Sequence, residues 1–237
     1  MQGEGLVTAE AAGHGVEAVE ALQRRLAGAA DEAPLWQRAE GERVRVGGVF
    51  AAPFHGLAGL GTAADPAWAA AVVVEDGEVV DEAVVAGTFS APYQAGYLAL
   101  RQLPLLEGAV RALRATPDVL LVNATGRDHP RRAGLALHLG AVLGVPTIGV
   151  TDRPLVAEAA APGPRRGDRS ELRLNGELVG FSVRTRAAVR PVYISAGWRT
   201  DPETATSVVL AVCEDERTPV PLREARHRAR EARTRGR

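Results

Sequence analysis

The sequence predicts an α/β domain in which a mixed sheet is flanked by helices. Three observations carry that reading. Residues 117–150, PDVLLVNATGRDHPRRAGLALHLGAVLGVPTIGV, hold a strand, a helix and a second strand in immediate succession. The run 119–122 is continuously apolar, as a strand covered on both faces requires, and 146–150 repeats the pattern. Upstream, residues 44–50, 68–74 and 78–85 read as three strands without an intervening helix, so antiparallel pairing precedes the parallel unit. At 237 residues, 46% of them hydrophobic, the chain suits a single core, and we expect one domain over 1–222 followed by an arginine-rich tail at 223–237.

Taken in order, residues 8–26 read as a first helix with Thr8 as N-cap and Val16, Val19, Leu22 and Leu26 on its apolar face; Gly13 and Gly15 weaken its start. Residues 27–41 read as a connector. Asp76-Gly77 supplies the turn between the second and third strands. Residues 97–114 form the next helix, with Leu98, Arg101, Leu105, Leu106, Ala109 and Leu113 inward and a kink expected at Pro104. In the central unit, Pro130 suits a helix start and Gly144 its stop, while Leu135, His138, Leu139 and Val142 share one face. His138 therefore reads as a core histidine. Residues 156–169, rich in Ala, Pro, Gly and Arg, read as a mobile loop. Asn175-Gly176 joins a second hairpin, 171–174 with 177–183, and 191–195 adds a short strand. Asp201, Pro202 and Glu203 open a helix whose inner face is Ala205, Val208, Val209 and Val212. The tail reads as a solvated helix that frays, with nucleic-acid contact as its alternative.

Composition limits the function. The 28 basic and 29 acidic residues nearly cancel, so any affinity for nucleic acid must come from a local patch. All basic residues are arginine, which weakens arginine as a marker of function. One cysteine, Cys213, excludes an internal disulfide framework and a cysteine-rich metal site, and reads as a small buried hydrophobe. We expect no membrane span, no export, a cytoplasmic location and a monomer. Ligands of open α/β sheets collect at the carboxyl ends of strands, so Asn123, Thr125, Arg127, Asp128 and His129 are the first candidates for chemistry.

Four segments are more specific: APYQAGYLALRQLP at 91–104, PDVLLVNATGRDHPRRAGLALHLG at 117–140, PTIGV at 146–150 and VRTRAAVRPVYISAGWR at 183–199. The element order resembles the ribonuclease H-like fold, and these segments resemble the endonuclease V family over about 46–222. Members of that family nick inosine-containing nucleic acid on the 3′ side of the lesion with a divalent metal, in DNA repair. The resemblance implies metal-binding carboxylates where this chain has Phe50, Gln102 and Asn123, a histidine where it has Trp198, and a lysine where it has Asp152. Hard cations need anionic oxygen ligands before they can activate water, and neutral amides hold Mg²⁺ poorly alone. The family's metal site is therefore not expected to form, and no Mg²⁺ or Mn²⁺ is expected unless activity survives.

The resemblance also implies retained binding residues. Pro92, Tyr93 and Gly96 match the segment whose aromatic ring fills the gap left by an extruded base, although the family's second proline is Ala95 here. The bland alternative for Tyr93 is an ordinary partly buried tyrosine. Gly126, His129, Arg131 and Arg132 match the loop and helix start that line the base pocket and approach the phosphates. Arg184, Thr185 and Arg186 divide evenly between backbone contact and the end of a strand. Three functions remain. The first is a non-catalytic binder of DNA or RNA. The second is a surviving nuclease with a metal displaced to Asp128 and Asp152, against which stands their pairing with Arg127, Arg131 or Arg153. The third is a protein-interaction scaffold whose cleft Phe50 and Trp198 close.

Overall fold

The computed structural model describes residues 16–37, 43–54 and 61–236. The expected N-cap Thr8 and the glycines Gly13 and Gly15 lie outside the described residues. The elements run α1 (Val16–Glu32), β1 (Val46–Pro53), β2 (Pro66–Glu75), β3 (Glu78–Thr88), α2 (Leu98–Arg111), β4 (Val119–Val122), α3 (Leu135–Leu143), β5 (Thr147–Thr151), β6 (Arg169–Leu174), β7 (Glu177–Val183), β8 (Val192–Ala196), α4 (Pro202–Ala211) and α5 (Val220–Arg235).

The strands form a sheet in the order β3-β2-β1-β4-β5-β8-β7-β6. β1 lies parallel to β4 and β4 to β5, and every other neighbouring pair is antiparallel. The first, fourth and fifth strands are thus side by side, as the sequence order requires. β4 explains why its four residues are all apolar. Leu120 and Val122 enter the core beneath α2 and α3, while Val119 and Leu121 enter the core beneath α4. Both hairpin turns show the expected chemistry, with Asp76 and Asn175 at φ 52 and Gly77 and Gly176 at φ 85. Asp201 caps α4 by accepting from the Thr204 N–H at 2.8 Å.

Four expectations change. α1 continues through the supposed connector to Glu32, because Leu26, Ala27 and Ala30 bury against Ala133 and Leu137. α3 begins at Leu135, five residues after Pro130, and the loop that joins β4 to it carries Asp128 and His129. The 156–169 segment is stapled to the body: Asp128 accepts the N–H groups of Leu155, Val156 and Ala157 at 2.7–2.9 Å, and Glu158 and Arg173 exchange backbone bonds. Finally, a boundary after 222 would fall inside α5. Ala225 and Ala229 are fully buried against Val72, Val74, Ala52 and Ala70, so α5 is a layer of the domain rather than a solvated tail. None of the helices among the described residues is long and apolar enough to cross a membrane.

Candidate nucleic-acid interface

Register sets the site. Val49 on β1 pairs with Val122 on β4, so the next residues, Phe50 and Asn123, stand level where β4 ends. Gln102 approaches from α2. These three line one cavity of about 180 Å³ together with Tyr93, Leu98 and Leu106. A second cavity of about 190 Å³ adjoins it, sharing Tyr93, Leu98 and Asn123 and extending to Gln23, Gly96, Thr125, His129 and Leu155. Tyr93 stands between the two and is exposed, so it is not a core tyrosine.

The segment 92–96 is held from below. Gly96 adopts φ +78, which a side chain would strain, and its carbonyl accepts from Gln23 Nε2 at 3.0 Å and from His129 Nε2 at 2.9 Å. His129 Nδ1 accepts from the Arg131 N–H at 3.2 Å, which fixes the proton on Nε2. Burial lowers the His129 pKa, and so the ring is neutral. Arg101, on the inward face of α2, completes the support by donating to the carbonyls of Ala91 and Thr62 and pairing with Asp65 at 3.0 Å. Gly126 is required by packing, because a Cβ there would lie 2.0 Å from the Ala196 carbonyl oxygen. Pro92 is exposed beside Tyr93.

Arg131 and Arg132 do not reach either cavity. Arg131 pairs with Glu20 at 3.1 Å, bonds Gln23 and lies over the Tyr97 ring; Arg132 pairs with Asp31 at 3.1 Å and with Glu177. Arg127 also pairs with Asp31, at 2.5 Å. The acidic residues of α1 therefore absorb the arginines assigned to phosphate. The amides near the start of α3 are committed too, with Gly134 N–H on Gly126 O and Ala136 N–H on Thr125 O. Arg184 braces the carbonyls of Pro162 and Gly163, Thr185 bonds the Arg217 carbonyl, and Arg186 lies 3.8 Å from Glu216, so all three make local structural contacts.

The residues present do not suit a divalent cation. Gln102 and Asn123 offer neutral amide oxygens, Phe50 offers none, and Asn123 Oδ1 accepts from Arg226 Nη2 at 3.3 Å. A guanidinium from α5 thus occupies the approach. The displaced site is not assembled either: Asp128 is spent on three backbone amides, and Asp152 pairs with Arg217 at 2.5 Å, a bond that with the nearby arginine charges lowers its pKa against the opposing effect of burial. The loop carboxylates are paired, as the alternative held, but with groups other than Arg127, Arg131 or Arg153. Closure of the cleft by two apolar rings also fails. Phe50 packs beneath α5 and still borders a cavity, whereas Trp198 packs against the α1 and α3 cluster, with its N–H bonded to Thr147 Oγ1.

Sequence reasoning missed Arg226, Arg230 and Gln23, the first two placed by α5 and the third by α1. Arg226 and Arg230 stand 5.2 and 6.0 Å over the Phe50 ring. Burial, with the adjoining Arg230 charge, lowers the Arg226 pKa, and Asp152 opposes that shift. The only sequence signal was their spacing on one helical face.

Sheet order, flanking helices and a cleft where β4 ends beside the middle of β1 define a protein of the ribonuclease H-like class. The Endonuclease V family model matches residues 46–227, and the chain belongs to that family. It is 45% identical to the Endonuclease V of Nocardia farcinica over 178 residues, covering 73% of this chain and 78% of that one. Over 159 residues it is 46% identical to the Endonuclease V of Methanopyrus kandleri, covering 66% and 69%. The crystal structure of the Streptomyces avermitilis Endonuclease V superposes with a TM-score of 0.79 at 33% identity over 97% of this chain and 95% of that chain.

Proposed function

We propose that this chain binds nucleic acid in the cleft between α2, the end of β4 beside β1, and α5, and does not hydrolyse it. The observation that carries the reading is the donor set: Phe50, Gln102 and Asn123 meet where β4 ends beside the middle of β1, and Arg226 bonds the one exposed amide among them. Metal-assisted hydrolysis requires anionic ligands to hold the ion and lower the pKa of its water, and this set supplies none. A phosphodiester faces the opposite situation, because a cleft without carboxylates and with a guanidinium does not repel it. Tyr93, exposed between two cavities, offers a ring on which a base can stack, worth about 1–3 kcal/mol per base. The cavity beyond it, walled by Gly96, Thr125 and His129, takes an unstacked base, inosine included.

An end-labelled, inosine-containing single strand incubated with purified protein in Mg²⁺ or Mn²⁺ tests the proposal. No nicking is expected, while the same strand binds equally with and without EDTA and more weakly as salt rises. Nicking dependent on either metal would overturn it, as would absence of binding.

A further inference from the structure

α5 carries six arginines and two glutamates between Val220 and Arg235, a local excess of positive charge in a chain with formal charge −1. Five of the arginines fall into two sets, while Arg233 donates to the Pro53 carbonyl. Arg228 and Arg235 are consumed by acids, Arg228 by Glu82 and Glu224 and Arg235 by Glu231. Arg223, Arg226 and Arg230, with His227 and Thr234, line one open groove along the helix. Their spacing of three, four and seven residues places them on a single face.

Within that groove, Arg226 and Arg230 have no carboxylate at ion-pair distance among the described residues. Arg226 Nε and Arg223 Nη1 are buried donors without a hydrogen-bond partner. Glu224 and Glu231, the acids nearest in sequence, bond Arg228 and Arg235, and Glu224 and Glu214 also lie 3.9 Å from Arg223, so neither acid of the helix pairs with Arg226 or Arg230. Arg217, which could neutralise nothing further, is already paired with Asp152 and bonded to the carbonyls of Arg190 and Pro191. Guanidinium groups left with unused N–H donors beside a cleft have the geometry that binds phosphate oxygens in pairs.

We infer that Arg226 and Arg230 form a phosphodiester clamp, a resident pair of organic cations standing at the cleft where the fold otherwise leaves room for inorganic ones. The Phe50 ring beneath them holds the guanidinium planes, and Asn123 orients Arg226. The strand then runs along α5 and drops a base past Tyr93 into the cavity walled by Gly96 and His129. The inference rests on the nucleic-acid reading above and names the residues that hold the backbone.

The test is equilibrium binding of a short labelled single-stranded DNA in EDTA, over a salt series, to the full chain and to Arg226→Ala/Arg230→Ala. Affinity should fall about tenfold for each arginine. The slope of log affinity against log salt should flatten by about 0.7 per lost contact. Arg226→Lys/Arg230→Lys should keep the slope and lose part of the affinity, since the charge stays and the fork does not. Arg24→Ala/Arg111→Ala removes the same charge from α1 and α2 and should leave both quantities near wild type. If the α5 variant behaves like that control while the wild type binds, the clamp is overturned and the nucleic-acid reading stands. If the wild type binds no strand in EDTA, the reading itself falls. Circular dichroism of each variant reports that the fold is kept.

Discussion

His138 sits on the buried face of α3, where burial pushes its pKa down to about 3. Its Nε2 finds no hydrogen-bond partner among the described residues. The folded chain therefore holds this ring neutral, whereas the unfolded chain protonates it near pH 6.5. Because the folded value is depressed, the stability is complete above about pH 6.5 and is lost as pH falls toward 3. At pH 5 the loss is about 2 kcal/mol. His138→Leu keeps an apolar side chain in the core and removes the titration. The gap between urea midpoints at about pH 7.5 and pH 5 should shrink accordingly in that variant. His129, shifted in the same direction by burial, supplies part of what dependence remains. An unchanged gap would place the acid sensitivity elsewhere.

At the scale of the element, α5 decides whether the cleft exists. Ala229 is fully exposed to β1 and β2 and not at all to solvent, lying against Ala52 and Ala70, and the ring of Phe50 packs in the same cluster. Small residues on both sides let the helix lie close to the sheet. Ala229→Asp would bury an unpaired carboxylate there, and a cost of about 3 kcal/mol or more is expected from chemical denaturation. Strand binding should fall with it, since Arg226 and Arg230 ride on the same helix. Were this segment a detached tail, Ala229→Asp would leave stability at the wild-type value. α1 acts in the opposite sense at the other side of the cleft. Glu20 and Asp31 neutralise Arg131, Arg127 and Arg132, so positive charge that the loop after β4 carries is turned inward to hold the domain together.

For the whole molecule, a formal charge of −1 hides an uneven distribution, with arginines in excess along α5 and paired around α1. Long-range attraction for a strand is then weak, and affinity depends on short-range contacts in one groove, so its dependence on salt is set by the few phosphates held there. The same cleft should be indifferent to metal. A ligand that binds only the folded chain stabilises it by RT ln(1 + [L]/Kd) and so raises its melting temperature. Millimolar Mg²⁺ or Mn²⁺ should therefore leave the thermal midpoint unchanged in a scanning fluorimetry experiment, while a single-stranded DNA should raise it in EDTA. A metal-dependent rise in Tm would reveal a cation site that the side chains around Phe50 and Asn123 do not provide.

Much of the fold was legible because its signals are local. The apolar run of β4, the Asn175-Gly176 turn and the Asp201 cap each specify backbone geometry within a few residues. Phe50, Gln102 and Asn123 could likewise be read as a site without carboxylates, because residue type alone excludes anionic ligation. Partner choice was not legible. Periodicity says which face a residue occupies and nothing about what that face meets. Arg131 and Arg132 read as phosphate ligands until α1, about a hundred residues away in sequence, presented Glu20 and Asp31 to them. Arg226 read as part of a solvated tail until α5 folded back over β1 and brought it to Asn123, 103 positions distant. The sequence by itself determined that antiparallel strands precede the parallel unit and that residues 50, 102 and 123 are not carboxylates. Tertiary structure alone decided which arginines were neutralised and which stand at the cleft without a carboxylate partner among the described residues, because ion pairing depends on distances that the packing of whole helices sets.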